Sequence, residues 1–258
     1  MCHSAIYKMI IVAKIKDFVF RSFLFYIFTS NSSFSFEINP AISEASRDFI
    51  KSVLECYTTS AGKSLTVPRS VIIRSDQRKS ILCTPEEYLV EDIIIWEPLS
   101  ESPDLNLRCP NCFETGAVDE LVRAIRRKLG WSSCDQPRRL YGLNNNALLV
   151  SRVYICQRRH QTIAHDPAIL SQVRHLFGLP FVLFHIGGIT RQLSASIISH
   201  ANTGIAMSDI QTLWLQTMYE AYATRREACF STLRRHSRNP LSTTFPDFQQ
   251  RYQNPGEK

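Results

Sequence analysis

Two short pairs of metal-binding residue types constrain this chain more than any other feature. Cys109 and Cys112 are separated by two residues, and Cys156 is followed four positions later by His160. Three thiols and one imidazole from two loops form a tetrahedral ligand set that is typical of zinc. Cys109, Cys112, Cys156 and His160 are therefore the predicted ligands. The zinc is expected to be structural, because four protein ligands leave no position for water. The alternative interpretation is isolated thiols and a surface histidine.

The second pair leaves the fourth ligand open, because its spacing is longer than that of the first pair. His165 and Cys134 are the substitutes for His160. The remaining cysteines are scattered singly along the chain and do not form a compact extracellular pattern. This distribution favours a reducing intracellular compartment with a metal site over a disulfide framework.

Between the two pairs the sequence predicts a β-hairpin. Residues 138–143 and 147–156 read as strands around the Asn-rich turn 144–146, since asparagine tolerates the left-handed backbone of tight turns. A cysteine pair, a hairpin and a second ligand pair are the layout of a zinc ribbon. Residues 92–96 (DIIIW) predict a buried strand, and residues 117–129 have helical spacing that ends at Gly130.

The second half of the chain predicts helices. Asp166 and Pro167 form a strong start signal for a helix over 167–177. Helical spacing over 189–201 and from residue 208 to 233, across the turn 202–204, matches a helix-turn-helix hairpin. The predicted fold class is α+β, with a zinc-ribbon-like β-hairpin module followed by an α-helical bundle that contains a helix-turn-helix-like hairpin.

This organisation divides the chain into five segments. They are an apolar N-terminal segment (1–35), a helical and strand lead-in (36–91), the zinc-ribbon-like module (92–165), the helical bundle (166–236) and a disordered tail (237–258).

Positive charge is concentrated around the ligand pairs. The formal net charge is +7, and residues 120–160 alone carry nine Lys and Arg against two acidic residues. Clustered arginine suits a polyanion, since phosphate contacts dominate the affinity of proteins for nucleic acid. The alternative is an ordinary solvated face. The predicted DNA contacts are Arg138, Arg139, Arg152, Arg158 and Arg159, with Arg191 and Gln192 on the first helix of the hairpin.

The apolar stretch at residues 9–28 invites a membrane interpretation. Lys14, Lys16, Asp17 and Arg21 interrupt it, and each charge near the centre of a bilayer costs about 3 kcal/mol on insertion scales. No small-residue cleavage site of a signal peptide follows. A spanning helix is therefore disfavoured, and a membrane-associated protein anchored by residues 9–28 remains an alternative.

The sequence contains no convincing catalytic motif. Residues 61–64 (AGKS) resemble the end of a phosphate-binding loop, but Tyr57 stands where that motif requires glycine. Residues 184–188 lack the nucleophile elbow of a hydrolase. We therefore predict a protein that is not an enzyme and has no small-molecule substrate.

Within residues 92–220 the chain carries an ordered set of motifs: 94–98 (IIWEP), 109–112 (CPNC), 130–131 (GW), 138–143 (RRLYGL), 149–156 (LVSRVYIC), 166–170 (DPAIL) and 181–183 (FVL). This set resembles an uncharacterised zinc-ribbon domain associated with eukaryotic transposon-derived, transposase-like proteins. The resemblance implies a metal-dependent module that binds or targets nucleic acid, so the expected partner is DNA and the expected location is the nucleus. The family pattern places a cysteine near Arg159, where this chain offers only His160.

The same resemblance implies a separate catalytic domain, which these motifs do not include. The expected protein is therefore a fragment, a decayed copy or a host-adopted binding module. A protein-interaction module built on the same zinc ribbon is the alternative to DNA binding.

Overall fold

The computed structural model describes residues 43–57, 71–73, 84–102, 104–114, 120–123, 137–176, 178–184, 187–235 and 244–248. Its strands are β1 (Val71–Ile73), β2 (Asp92–Trp96), β3 (Val122–Arg123), β4 (Arg138–Tyr141), β5 (Ala147–Ser151), β6 (Val153–Ile155), β7 (Gln161–Ile163), β8 (Phe181–Leu183) and β9 (Gly188–Thr190). Its helices are α1 (Glu44–Tyr57), α2 (Pro85–Tyr88), α3 (Pro98–Glu101), α4 (Pro110–Glu114), α5 (Pro167–Val173), α6 (Arg191–Asn202) and α7 (Met207–Arg235). The chain is thus a mixed α+β protein.

The larger sheet has six strands in the order β1-β2-β5-β4-β9-β8. The pairs β2–β5 and β4–β9 are parallel, and the other neighbours are antiparallel. Strand β2 is a continuous apolar run and lies between β1 and β5. Both of its faces are covered by other residues, as continuous apolar strands require. The predicted strand at 92–96 and the hairpin of β4 and β5 are confirmed.

The two faces of β2 contact different parts of the molecule. Ile93 and Ile95 pack with the apolar face of α1. Ile94 and Trp96 point the other way, into the core that contains the cysteines. The alternation of side chains along a strand explains this division. One strand therefore joins α1 to the cysteine-bearing region through a single sheet.

The smaller sheet has three antiparallel strands in the order β3-β6-β7. The chain passes into it directly from β5, with Arg152 as the single residue between β5 and β6. The side chains of Arg152 and Glu97 are both 0% exposed, and Nε of Arg152 lies 3.7 Å from Oε1 of Glu97. This buried ion pair marks the junction of the two sheets.

Helices α6 and α7 form a hairpin that packs through Leu193, Ile197 and Ile210. The Oγ1 of Thr190 caps α6 by accepting a hydrogen bond from the backbone N–H of Leu193. The indole Nε1–H of Trp214 on α7 donates to the carbonyl of Gly142, 2.9 Å away, which ties α7 to the large sheet. The predicted pair of helices is present, and its reading as a DNA-binding helix-turn-helix stays a prediction.

The secondary structure corrects the sequence predictions at two places. Residues 122–123, predicted as part of a helix, form strand β3, because pairing with β6 outweighs the local helical spacing. The segment predicted as a helical bundle contains strands β8 and β9, so α6 begins at Arg191 rather than at residue 189. The larger sheet therefore takes strands from three of the predicted segments.

The end of the chain is a further correction. Residues 244–248 lie in the segment predicted to be disordered, yet Phe248 is 7% exposed and its ring contacts Tyr219 and Tyr222 on α7. The hydroxyl of Tyr222 donates to the carbonyl of Pro246, 2.6 Å away. Two phenylalanines in a polar tail are enough to dock this part of it.

No helix in the described ranges is long and apolar enough to cross a membrane. Residues 9–28, on which the membrane alternative rests, lie outside the described residues, as do Cys134 and the whole N-terminal segment 1–35.

Candidate metal centre

The first ligand pair lies at the start of helix α4. Pro110 is the first residue of this helix, a position where its fixed φ is favourable and its missing N–H costs nothing. The backbone N–H of Phe113 donates to the carbonyl of Cys109, 3.0 Å away. This single helical turn brings the side chains of Cys109 and Cys112 to the same side of the loop.

The second ligand pair lies in the tight turn between β6 and β7. The backbone N–H of Cys156 donates to the carbonyl of His160, and the N–H of Arg159 donates to the carbonyl of Cys156, at 3.1 and 2.9 Å. Arg159 has φ of 65°, in the left-handed region that favours glycine. The turn that brings Cys156 and His160 together thus holds the backbone of Arg159 in a strained conformation.

The two pairs converge on one point. The Sγ atoms of Cys112 and Cys156 are 3.7 Å apart, and Nδ1 of His160 lies 3.3 Å from Sγ of Cys112 and 3.9 Å from Sγ of Cys109. All four ligand atoms lie within 4.8 Å of one another. Ligands about 2.3 Å from a tetrahedral zinc ion are separated by about 3.7 Å, so the set needs only a small contraction.

The cluster is shielded from water. Cys109, Cys112 and Cys156 are 1%, 0% and 4% exposed, whereas His160 is half-buried. Burial acts to raise the pKa of Cys156, but hydrogen bonds from the backbone of His160 and from the neighbouring thiols outweigh it and lower the pKa of Cys156 below its usual value. A stabilised thiolate at Cys156 fits a bound cation, since the thiolate is the form that ligates metal.

The donor set and its enclosure define what the centre can do. Three sulfurs and one nitrogen are the soft and borderline ligands that zinc takes in tetrahedral sites. Because all four positions come from the protein, the metal has no open position for a substrate or a water molecule. The arrangement is that of a metal site that holds loops together.

Of the two substitutes for the fourth ligand, Cys134 lies outside the described residues, and His165 does not join this cluster. Nδ1 of His165 lies 2.8 Å from the hydroxyl of Ser151 instead. Burial, with the nearby charge of Arg138, lowers the pKa of His165 to about 4. His165 is therefore neutral at physiological pH and belongs to a different contact.

The predicted DNA-binding residues divide into two groups. Arg158 and Arg159 are exposed in the turn between the ligands Cys156 and His160, and Arg191 and Gln192 are exposed at the start of α6.

The second group is held within the fold. Arg138 donates from Nε to the carbonyl of Gly187, 3.2 Å away, and Arg139 pairs with Glu91 at 3.0 Å. Arg152 is fully buried against Glu97 and presents no surface to a phosphate. The predicted DNA contact of Arg152 is therefore wrong.

One positioning contact had no sequence signal. The side-chain amide of Gln172 on α5 accepts from the backbone N–H of Arg108 at 2.9 Å and donates to the carbonyl of Arg108 at 3.0 Å. These two hydrogen bonds fix the residue that precedes Cys109. A glutamine on a helix gives no sign of such a partner in the sequence, because Arg108 lies far away along the chain.

Comparison with known proteins assigns no family to the chain. No protein-family model, curated protein or solved structure matches it. The resemblance to transposon-derived proteins therefore stays a prediction. The observation on which a function can be argued is the convergence of Cys109, Cys112, Cys156 and His160.

Proposed function

We propose that this chain is a non-catalytic zinc protein whose metal is structural and whose zinc-bearing module binds DNA. The observation that carries the proposal is the closed cluster of three buried thiols and one imidazole within 4.8 Å. A metal held there connects α4 to the turn between β6 and β7. Its binding energy becomes folding energy, because the ligands do not converge in the unfolded chain.

The metal part of the proposal is tested by the zinc content of the purified full chain. We expect one zinc per chain, and none after Cys109→Ser. Cys56→Ser is the matched control, since Cys56 is exposed and lies outside the cluster. A metal-free protein with an unchanged fold would contradict the structural zinc.

DNA binding is supported by the position of Arg158 and Arg159. Both side chains are exposed, and both lie in the turn that the metal would rigidify. Arginine binds phosphate through two parallel hydrogen bonds, and a fixed turn loses less entropy on binding. The expected contact is with the phosphate backbone, so affinity depends on salt more than on base sequence.

The DNA part is tested by fluorescence anisotropy with a duplex at increasing salt. Replacing both Arg158 and Arg159 by glutamine should lower the slope of log affinity against log salt by about 2, since each phosphate contact contributes about 0.9. Arg174→Gln, an exposed charge at the end of α5, is the control. An unchanged slope in the double variant would contradict phosphate contact at this turn.

A second candidate function is a protein-interaction module on the same metal site. The observation that favours it is apolar exposure near the cluster: Phe113, Val122 and Ile163 are 62%, 56% and 38% exposed. Such side chains are typical anchors for a protein partner. Association with a protein that is insensitive to salt and is weakened by Ile163→Thr, without binding to DNA, would favour this function over the first.

The transposon-derived origin that the resemblance implies fits either function, as a host-adopted binding module in the nucleus. The motifs that carry the resemblance do not include Arg158 or Arg159, so the resemblance does not bear on DNA contact by these two residues.

A further inference from the structure

A cavity of about 960 Å³ opens at one end of the larger sheet, away from the candidate metal centre. Its floor is formed where β4 and β9 end and where β2 and β5 begin, and helices α6 and α7 provide its walls. Ligands in proteins with open mixed sheets commonly bind in such a crevice, where a strand leads into a helix. The sequence contains no motif that assigns a ligand to this place.

Two arginines line the cavity from different helices. Arg191 of α6 is exposed, and within the described residues its guanidinium has neither a hydrogen bond nor an ion pair. The guanidinium lies over Gly178, where a Cβ atom would stand only 2.2 Å from Nη1 of Arg191. Glycine at this position therefore leaves room for the cation.

The second arginine is held in place by neutral groups. Arg225 of α7 donates to the side-chain oxygen of Asn145 and to the carbonyl of Asn144, both at 3.0 Å. Neither acceptor carries a charge, so these contacts orient the guanidinium without neutralising it. The turn between β4 and β5 thus fixes one cation in the wall of the cavity.

The other lining groups leave a positive balance. Among the described residues that line the cavity, Asp92 is the only acidic one, and its Oδ1 accepts a hydrogen bond from Nδ2 of Asn145 at 2.9 Å. Two arginines against one carboxylate give this part of the lining a net positive charge. Ile72, Ala195 and Ala221 add an apolar wall. The cavity therefore combines an anion-binding side with a surface for a flat apolar group.

We propose that this cavity binds a phosphorylated ligand of nucleotide size, with its phosphate at Arg191 and Arg225. The volume lies within the range of about 300–1,000 Å³ typical of small-molecule sites. Arginine is the preferred partner for phosphate because its planar fork forms two hydrogen bonds. The phosphate belongs either to a free nucleotide or to the end of a nucleic-acid strand. This proposal goes beyond the proposed function and does not depend on the zinc.

The test uses the full chain and two matched probes, adenosine monophosphate and adenosine, in isothermal titration calorimetry. We expect the monophosphate to bind and adenosine to bind at least about tenfold more weakly, since a charge-assisted hydrogen bond contributes on that scale. Arg191→Gln should weaken binding of the monophosphate by a similar factor. Because the side chain of Arg191 has no polar partner in the described residues, this variant should keep the fold.

Further variants separate this site from the zinc-bearing turn. Gly178→Ala should also weaken binding, because its Cβ displaces the guanidinium of Arg191. The double replacement of Arg158 and Arg159 by glutamine should leave it unchanged. Equal affinity for the two probes, or full affinity in Arg191→Gln, would overturn the proposal.

A second arm distinguishes the sources of the phosphate. If the ligand is a strand end, an oligonucleotide with a 5′-phosphate should compete with the monophosphate about tenfold better than the same oligonucleotide with a 5′-hydroxyl. If only the free nucleotide fits, neither oligonucleotide competes. Both outcomes support phosphate recognition in the cavity. Equally strong competition by the 5′-phosphate and the 5′-hydroxyl oligonucleotide would contradict it.

Discussion

The two sheets of this protein are stabilised by different means. In the larger sheet, Ile93, Ile94 and Ile95 are at most 1% exposed, and apolar residues cover both faces of β2. In the smaller sheet the strands have two or three residues, and Val122 and Ile163 are more than one third exposed. The larger sheet is held mainly by apolar burial, whereas the smaller sheet has less core of its own and gathers the four candidate metal-ligand atoms at one end.

This difference predicts how each region responds to a change. Loss of apolar packing around β2 should destabilise the whole chain, because side chains on both faces of this strand belong to the core. Loss of the metal should open the smaller sheet first, because short strands with an exposed face do not stand alone.

The largest expected effect is loss of the metal ligand Cys112. This side chain is 0% exposed, and its Sγ lies 3.7 Å from Sγ of Cys156 and 3.3 Å from Nδ1 of His160. Cys112→Ser should destabilise the smaller sheet by roughly 5 kcal/mol or more, as the binding energy of structural zinc is lost. Hydrogen exchange should show rapid exchange in β6 and β7 with continued protection of β2 and β5. Cys229→Ser, a buried thiol outside the cluster, is the control. Equal loss of protection in both sheets would remove the distinction.

A smaller effect is expected at the junction of the sheets. Arg152→Leu leaves the carboxylate of Glu97 buried without its ion-pair partner and should cost about 3–5 kcal/mol in the free energy of unfolding. The double variant with Glu97→Leu should recover part of this loss, since no charge is then left buried. Urea denaturation of the unmodified chain, the two single variants and the double variant measures the coupling. A double variant that is less stable than Arg152→Leu would show that the pair is not what joins the sheets.

The stability of this junction should also depend on pH through His165. Its pKa lies at about 4 in the folded chain, below the ordinary value of 6.5, so the folded protein binds fewer protons than the unfolded chain. The contribution of His165 to stability is therefore fully present above about pH 6.5 and falls by about 3 kcal/mol as the pH drops to 4. Denaturation at several pH values measures this slope, and His165→Gln should reduce it. A slope unchanged in that variant would assign the acid sensitivity to other groups.

The smallest effect is expected in the turn between the ligands. Arg159→Gly removes the side chain from a residue with φ of 65° and should raise stability by up to about 1 kcal/mol. Arg159→Gln keeps the strained conformation and removes the charge, so it separates the two roles of this residue. Thermal denaturation of both variants checks the difference. Lower stability in Arg159→Gly would mean that the arginine side chain itself supports the turn.

Local patterns predicted the larger sheet better than the smaller one. A few adjacent residues are enough to predict the apolar run of β2, the Asn-rich turn after β4 and the start of α5 at Asp166. The side chain of Asp166 accepts from the N–H of Ala168 as its type predicts. Strand β3 was missed because Leu121 and Val122 also fit a helical period, and only pairing with the distant β6 decides between the two.

The candidate metal centre was predicted more fully than the strands around it. All four predicted ligand atoms converge, because the chemistry of thiols and imidazole limits what such pairs can do. The buried partner of Arg152 was missed for the opposite reason: a single arginine in a basic stretch gives no sign that Glu97 lies beside it. Sequence indicates chemical type, whereas exposure depends on the assembled fold.

The most direct test of the zinc site is X-ray absorption at the zinc edge on the purified full chain. We predict one zinc per chain with three sulfur ligands at about 2.3 Å and one nitrogen ligand at about 2.0 Å. His160→Ala should remove the nitrogen contribution and keep the three sulfurs. A spectrum dominated by oxygen and nitrogen, or one unchanged in that variant, would contradict the proposal that Cys109, Cys112, Cys156 and His160 hold the metal.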